Sequence, residues 1–237
     1  MIHPESDLLG IACKRYFADG DDQPIRVFIN GKQDSDLLPS YFFRKASGIN
    51  SIERAALAAA KGNILDIGAG AGCHSVILQE RGAKVVSLEK SPALCEIIKN
   101  RGIRQVVCSD VLQYRGSGFD TILLLMNGFG LAGTDIQLEQ FIGHLVAMLR
   151  PGGSVIGDST DIAYFYRQTN QAVELDLNAG YFGNVVFQLN WQGQTTAIPW
   201  LFADEWLLRE TCEHLGLKFS VIRRGSDHQF LCRITKP

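Results

Sequence analysis

From residue 52 onward, short wholly apolar runs alternate with longer stretches in which apolar residues recur every three or four positions. The runs read as strands and the longer stretches as helices. Residues 52–61 are Ala-rich and predict a helix ended by Gly62. Residues 63–67 predict a buried strand, 73–81 a helix stopped by Gly82, and 84–88 a second strand. Residues 92–101 predict a helix with Ser91 as N-cap and Pro92 in its first position. Third and fourth strands follow at 105–108 and 119–126. A helix at 135–149 is broken by Pro151-Gly152-Gly153 before a fifth strand at 154–157. This alternation calls for right-handed crossovers and a parallel sheet with helices on both faces. The run from Ile122 to Met126 has no polar position, as suits a strand covered on both sides.

The period then changes. Residues 184–191 and 195–198 flank Gln192-Gly193-Gln194, a hairpin signal. Residues 204–215 predict a helix capped by Asp204 and stopped by Gly216, and two last strands follow at 218–223 and 229–234. The expected fold class is α/β: a doubly wound, Rossmann-like, mostly parallel seven-stranded sheet with an inserted β-hairpin after the fifth strand. One domain is expected over residues 1–237. Residues 160–203 form an insertion, because a direct connection needs only a few residues. Residues 1–50 are less regular and lid-like, with a turn at Asn30-Gly31.

Composition narrows the function classes. The chain has 237 residues, 46% hydrophobic and 20% charged, which excludes disordered and fibrous classes. The net charge of -2, with no clustered positive residues, argues against a nucleic-acid partner. No apolar run approaches the ~20 residues of a membrane helix, and the first residues lack the features of a secretory signal. The six cysteines form no C-x-x-C pair and read as buried thiols of a cytoplasmic protein, with no metal site. Oligomeric state is not legible.

The chemistry begins at Asp66-Ile67-Gly68-Ala69-Gly70-Ala71-Gly72, which leaves a strand and enters a helix. Glycines there let backbone N–H groups approach a ligand at a helix N-terminus. A dinucleotide loop needs glycine where Cys73 stands, and the Gly-Lys-Ser/Thr of a P-loop is absent. Four further motifs follow in order. Val85-Val86-Ser87-Leu88-Glu89 ends in an acid 21 positions after Gly68, and Val107-Cys108-Ser109-Asp110-Val111 carries another. Phe119-Asp120-Thr121-Ile122 opens the fourth strand, and Leu149-Arg150-Pro151-Gly152-Gly153 precedes the fifth.

Together these motifs resemble the class I S-adenosylmethionine-dependent methyltransferases, over roughly residues 55–160 by motif and the last strands by layout. The resemblance implies S-adenosylmethionine as cofactor, with the backbone of Gly68, Ala69 and Gly70 beside its methionine part. Asp66 then orients the loop or accepts from the ammonium group, and Glu89 accepts both ribose hydroxyls. Ser109, Asp110 and Val111 meet the adenine edge, with Lys90 on its face. Arg44 pairs with a carboxylate of cofactor or substrate. Asn127 follows the fourth strand, near the transferred methyl; the Pro-Pro of nucleic-acid amine methylation is absent, Gly128-Phe129 standing there instead. The simpler readings stay open: Glu89 as a strand-end carboxylate, Asp110 as a helix cap, Asn127 as a turn residue and Arg44 as a surface residue.

The implied reaction moves a methyl group to an N or O atom of a small-molecule acceptor. Methyl transfer is an in-line displacement in which the protein mainly aligns the partners and excludes water. A base is optional; the catalytic candidates are His74, Asn127 and His228, with Asp161 as a further base. Aromatic residues gather outside the motifs, and Tyr41, Phe42, Tyr164 and Tyr181 are the candidates for the acceptor wall, with packing beneath the hairpin as the plainer alternative. Rival readings are a protein or nucleic-acid acceptor, a cofactor-binding protein without turnover, and an NAD-dependent oxidoreductase.

Overall fold

The computed structural model describes residues 7–166 and 180–237, except the side chains of Tyr164 and Tyr166. In the central sheet, β3 (Asn63–Ile67), β4 (Lys84–Glu89) and β5 (Val106–Cys108) run parallel on one side, and β6 (Phe119–Leu124) and β7 (Leu149–Thr160) run parallel on the other. Strands β11 (Gln229–Thr235) and β10 (Lys218–Arg224) add antiparallel, giving the order β10-β11-β7-β6-β3-β4-β5. The order reverses between β3 and β6, the point where open α/β sheets bind ligands. The fifth strand is longer than expected. It absorbs Pro151-Gly152-Gly153 as a register shift opposite Phe119 and Thr121, instead of starting after it.

Alternation within the apolar strands serves two cores. Leu65, Ile67, Ile122 and Leu124 pack with α5 (Asp135–Met148) and α6 (Glu205–His214) through Phe141, Ile142, Leu145 and Leu208. Ile64, Val85, Leu123 and Ile156 pack with α2 (Ser51–Ala59) and α3 (Cys73–Glu80) through Ile52, Leu57, Ile77 and Leu78. A further helix, α4 (Pro92–Asn100), carries Leu94 and Ile97 against Cys13 of α1 (Leu8–Asp19). Expected caps are in place: the Ser91 side chain accepts from the Leu94 amide, and that of Asp204 from the Leu207 amide.

A second sheet lies outside this sandwich. The expected hairpin, β8 (Asn184–Trp191) and β9 (Gln194–Leu201), pairs not only with itself but with β1 (Ile25–Ile29), which pairs with β2 (Lys32–Leu37). The order is β2-β1-β8-β9, wholly antiparallel. Ile25, Val27, Leu189 and Trp191 form one buried apolar face with Ala12 of α1. Both α1 and β2 fall in the stretch that looked irregular, and Cys108 is exposed where a buried thiol was expected. No described helix is long and apolar enough to cross a membrane.

Candidate functional site

A cavity of about 360 Å³ opens at the carboxyl ends of β3, β4, β5 and β6. Its floor is the glycine loop. Gly68 and Gly70 hold φ of 66° and 57°, and a Cβ at Gly70 would come within 3.3 Å of the Phe42 ring. A side chain there is both strained and crowded. Glu89, at the end of β4, clamps the loop: its Oε2 accepts from the Gly70 amide at 2.9 Å. Its Oε1 accepts from the amides of Lys90 and Ser91 at 2.8 and 2.9 Å. Burial pushes this carboxyl above the usual range, while the three amides pull it back. A carboxylate has roughly four lone-pair positions, so one remains open.

Asp66 is buried at the end of β3, and its Oδ2 accepts from the Ser75 hydroxyl at 2.6 Å. Ser75 in turn accepts from Ser87 of β4 at 2.6 Å, so a hydrogen-bonded chain ties strand, loop and helix together. Beyond β5, Asp110 accepts from the Leu112 amide at 2.8 Å, and Ser109, Asp110 and Val111 line the cavity beside Leu88 and Lys90. The structure thus brings Asp66, Gly68, Ala69, Gly70, Glu89, Lys90, Ser109, Asp110, Val111 and Asn127 to one cavity, together with Phe42 and His74.

Other candidates stand away from the lining. The Arg44 guanidinium binds both oxygens of buried Glu53, at 2.9 and 2.6 Å, and lies 3.5 Å from the centre of the Tyr41 ring. It has no hand free for a cofactor carboxylate because Glu53 already fills its bidentate fork. Tyr41 is taken up by the same stack. The Tyr181 hydroxyl accepts from the Asp204 amide at 2.8 Å and donates to the Phe202 carbonyl at 3.3 Å, which makes it a cap for the start of α6. His228 is exposed, at φ 60° in the turn before β11. Tyr164 lies in a short 3-10 turn (Ala163–Tyr166), and its side chain is outside the described residues.

His74 is buried, with Nε2 at 2.8 Å from Glu53 Oε1. Burial alone would raise the Glu53 carboxyl, but hydrogen bonds from His74, Arg44 and the Asn50 amide outweigh it and hold the group at about 2. Glu53 is therefore ionised, so His74 Nε2 donates to it.

Two features escaped the sequence reading. Met126 and Asn127 take left-handed backbone conformations in succession, φ 61° and 58°, a strained arrangement for a non-glycine pair. Asp158, fully buried on β7, accepts from the Asn127 amide at 3.1 Å and from Gln229 Nε2 at 2.8 Å, both on Oδ2. Its Oδ1 has no partner. The Thr160 hydroxyl donates to the Asn127 side-chain oxygen at 2.8 Å. Asp158 thus holds the strained turn that presents Asn127 to the cavity. The available signal was an acid at the carboxyl end of a strand, masked by its small neighbours Gly157 and Ser159.

Burial raises the Asp158 carboxyl to about 6, against the hydrogen bonds from Asn127 and Gln229 and the nearby His74 charge. A raised acid contributes stability that is complete below its ordinary value and lost as pH rises through the raised one. Urea unfolding of the wild type should therefore weaken between pH 4 and 6. Asp158→Asn, which keeps an oxygen for the Asn127 amide, should flatten that slope; an unchanged slope would place the titration elsewhere.

The roof of the cavity is the second sheet. Phe187 and Leu189 of β8, Ile198 and Trp200 of β9, and Leu37 of β2 line it, with Leu9 of α1. Phe187 and Ile198 are direct cross-strand partners. Among the described residues, no group of His, Cys, Asp and Glu side chains is arranged to hold a metal ion.

Comparison with known proteins agrees with this geometry. A family model described as a methyltransferase domain matches residues 64–153, from the start of β3 into β7. The crystal structure of a SAM-dependent methyltransferase from Bacteroides fragilis, in complex with S-adenosyl-L-homocysteine, superimposes with a TM-score of 0.91 at 30% identity, covering 100% of this chain and 97% of that one. The cypemycin N-terminal methyltransferase of a Streptomyces species is 29% identical over 113 residues, 46% of this chain. The match spans 46% of that relative's length, so it aligns with about half of it. The CcbJ methyltransferase of Streptomyces caelestis shares the fold, with a TM-score of 0.57 at 15% identity over 78% of this chain and 88% of that one.

Proposed function

This chain belongs to the S-adenosylmethionine-dependent methyltransferase family, and from that premise we propose that it transfers a methyl group to a nitrogen or oxygen atom of a small-molecule acceptor. The observation that carries the reading is the two-part cavity. Its floor gathers a glycine loop and carboxylates from the ends of adjacent parallel strands, and its roof is an apolar sheet face. A protein or nucleic-acid acceptor calls for a broad, open mouth, whereas this chamber is roofed by residues of three strands and a helix.

The residues present fit the cofactor. Without side chains at Gly68 and Gly70 the loop backbone is open to the methionine part, and a Cβ at Gly70 would crowd the Phe42 ring. Glu89, clamped by three backbone amides at the end of β4, would offer its carboxylate to the ribose hydroxyls. Asp110, with Val111 and Leu112, offers a carboxylate and apolar faces to the adenine. When bound, S-adenosylmethionine supplies a methyl group activated by a sulfonium. Residues of this chain would hold the acceptor atom in line with that methyl group. Asn127, in the cavity lining, would orient the acceptor, and His74, in the same lining, is the candidate to receive its proton. The roof excludes water from the reacting atoms. The same reading treats residues 1–237 as one methyltransferase domain, supported by the pairing of β1 with β8.

Calorimetric titration with S-adenosylhomocysteine should give one site with Kd on the order of micromolar. Labelled methyl from S-adenosylmethionine should then appear in an organic-soluble small molecule from a metabolite panel. Absence of binding heat would overturn the cofactor assignment. Label found only in a peptide would move the acceptor to an N-terminal amine, the group named for the cypemycin relative.

A further inference from the structure

The lining of the cavity is unevenly charged. Its carboxylates, Asp66, Glu89 and Asp110, and its one lysine, Lys90, all stand at the ends of β3, β4 and β5, on the cofactor side. All three acids are already engaged, Asp66 by Ser75, Glu89 by three backbone amides and Asp110 by the Leu112 amide. The roof side presents Leu9, Leu37, Phe187, Leu189, Ile198 and Trp200, without a charged side chain among the described residues.

This asymmetry follows from the strands. Alternation on β8 sends Val185, Phe187, Leu189 and Trp191 to one face, while Val186, Gln188 and Asn190 take the other. Val27 and Ile29 of β1 sit opposite Leu189 and Phe187 in register and continue the apolar face. The Trp200 indole is also fixed. A Cβ on Gly130 would run into it, so the ring rests directly on the backbone of the turn after Asn127. Phe187 packs against the same ring, centroids 5.7 Å apart.

A many-hydroxyl sugar entering this half leaves water without a partner for its hydrogen bonds, and a cationic amine exchanges its hydration for ring faces alone, with no carboxylate on the roof. An uncharged ring loses nothing of that kind and covers the Phe187, Ile198 and Trp200 surfaces. Resting on the methyltransferase reading above, we infer that the acceptor is an uncharged molecule with a flat apolar body, which lies against the roof and presents a single hydroxyl or neutral amine toward Asn127.

Calorimetry separates this inference from the reading beneath it. Binding of S-adenosylhomocysteine alone tests the cofactor site. The protein saturated with S-adenosylhomocysteine is then titrated with 2-naphthol as the neutral ring, and with glucosamine and a tripeptide bearing a free N-terminus as polar and cationic probes. The expected result is binding of 2-naphthol at least tenfold tighter than either polar probe. Phe187→Ala should weaken 2-naphthol about tenfold and leave S-adenosylhomocysteine within twofold. Ile198→Gln, at the half-exposed partner position, should do the same if Phe187→Ala folds poorly. Tighter binding of glucosamine or the tripeptide overturns the inference, as does equal binding of 2-naphthol by both variants. So does failure of 2-naphthol to bind at millimolar concentration to protein that binds S-adenosylhomocysteine normally.

Discussion

Replacing Glu53 with alanine is expected to destabilise the protein by about 3–5 kcal/mol, the scale for removing one member of a buried ion pair. The side chain is almost wholly enclosed, and its removal leaves the Arg44 guanidinium, 13% exposed, and His74, 6% exposed, without their shared partner. It also frees the Asn50 amide, because Glu53 closes a capping box at the start of α2. The pH dependence carries a second signature. Glu53 is held down to about 2 in the folded protein, against 4.5 as its ordinary value. A depressed acid contributes stability that is complete above its unfolded value and lost as pH falls through the folded one. Urea midpoints of the wild type should therefore decline between pH 4.5 and 2, and Glu53→Ala should lack that part of the decline. A loss below about 1 kcal/mol would mean that the cluster is no more than a surface ion pair in its energetics.

Glu89→Ala is expected to weaken S-adenosylmethionine by roughly 10- to 100-fold, about 1.5–3 kcal/mol for hydrogen bonds to a charged group. The variant removes the proposed ribose acceptor and also releases the amides of Gly70, Lys90 and Ser91. Glu89→Gln keeps the shape and one oxygen, so its affinity should fall between wild type and alanine. Calorimetry on the three proteins reads the order directly. Wild-type affinity in the alanine variant would show that the ribose sits elsewhere.

The sequence made the central sheet legible because each signal there is local. Continuous apolar runs mark strands covered twice, and Ser91-Pro92 and Asp204 mark helix starts within a few residues. The glycine loop was readable for the same reason: backbone approach demands Gly68 and Gly70 whatever lies opposite. The second sheet was not, because its identity depends on distant partners. Strand β2, Lys-Gln-Asp-Ser-Asp-Leu, is exposed along nearly its whole length and shows no apolar alternation. Its place is set by β1, whose other neighbour, β8, lies far along the chain. The same limit misplaced side chains. Arg44 looked available until α2 brought Glu53 to it, and Tyr181 looked like a wall until Asp204 and Phe202 claimed its hydroxyl. The residues that roof the cavity, Phe187, Leu189, Ile198 and Trp200, are spread along the hairpin by its period of two, whereas the candidate rings Tyr41 and Phe42 are neighbours in a run.

The interleaving of β1 between β2 and β8 has a consequence for how the molecule is made. A ribosome delivers β1 early, with Ile25, Val27 and Ile29 destined for a buried face. Strand β8, which begins at Asn184, emerges only after the parallel strands have been synthesised. At ~5–20 residues per second that is a wait of roughly ten to thirty seconds. Through that interval β1 has β2 alone as a partner, and a two-stranded ribbon with one open edge is marginally stable and prone to pairing with neighbours. The exposed acidic and polar residues of β2, Gln33, Asp34, Ser35 and Asp36, then serve as its solubilising edge during biogenesis. A chamber roofed by segments so far apart along the chain is thus completed only after the parallel strands that form its floor.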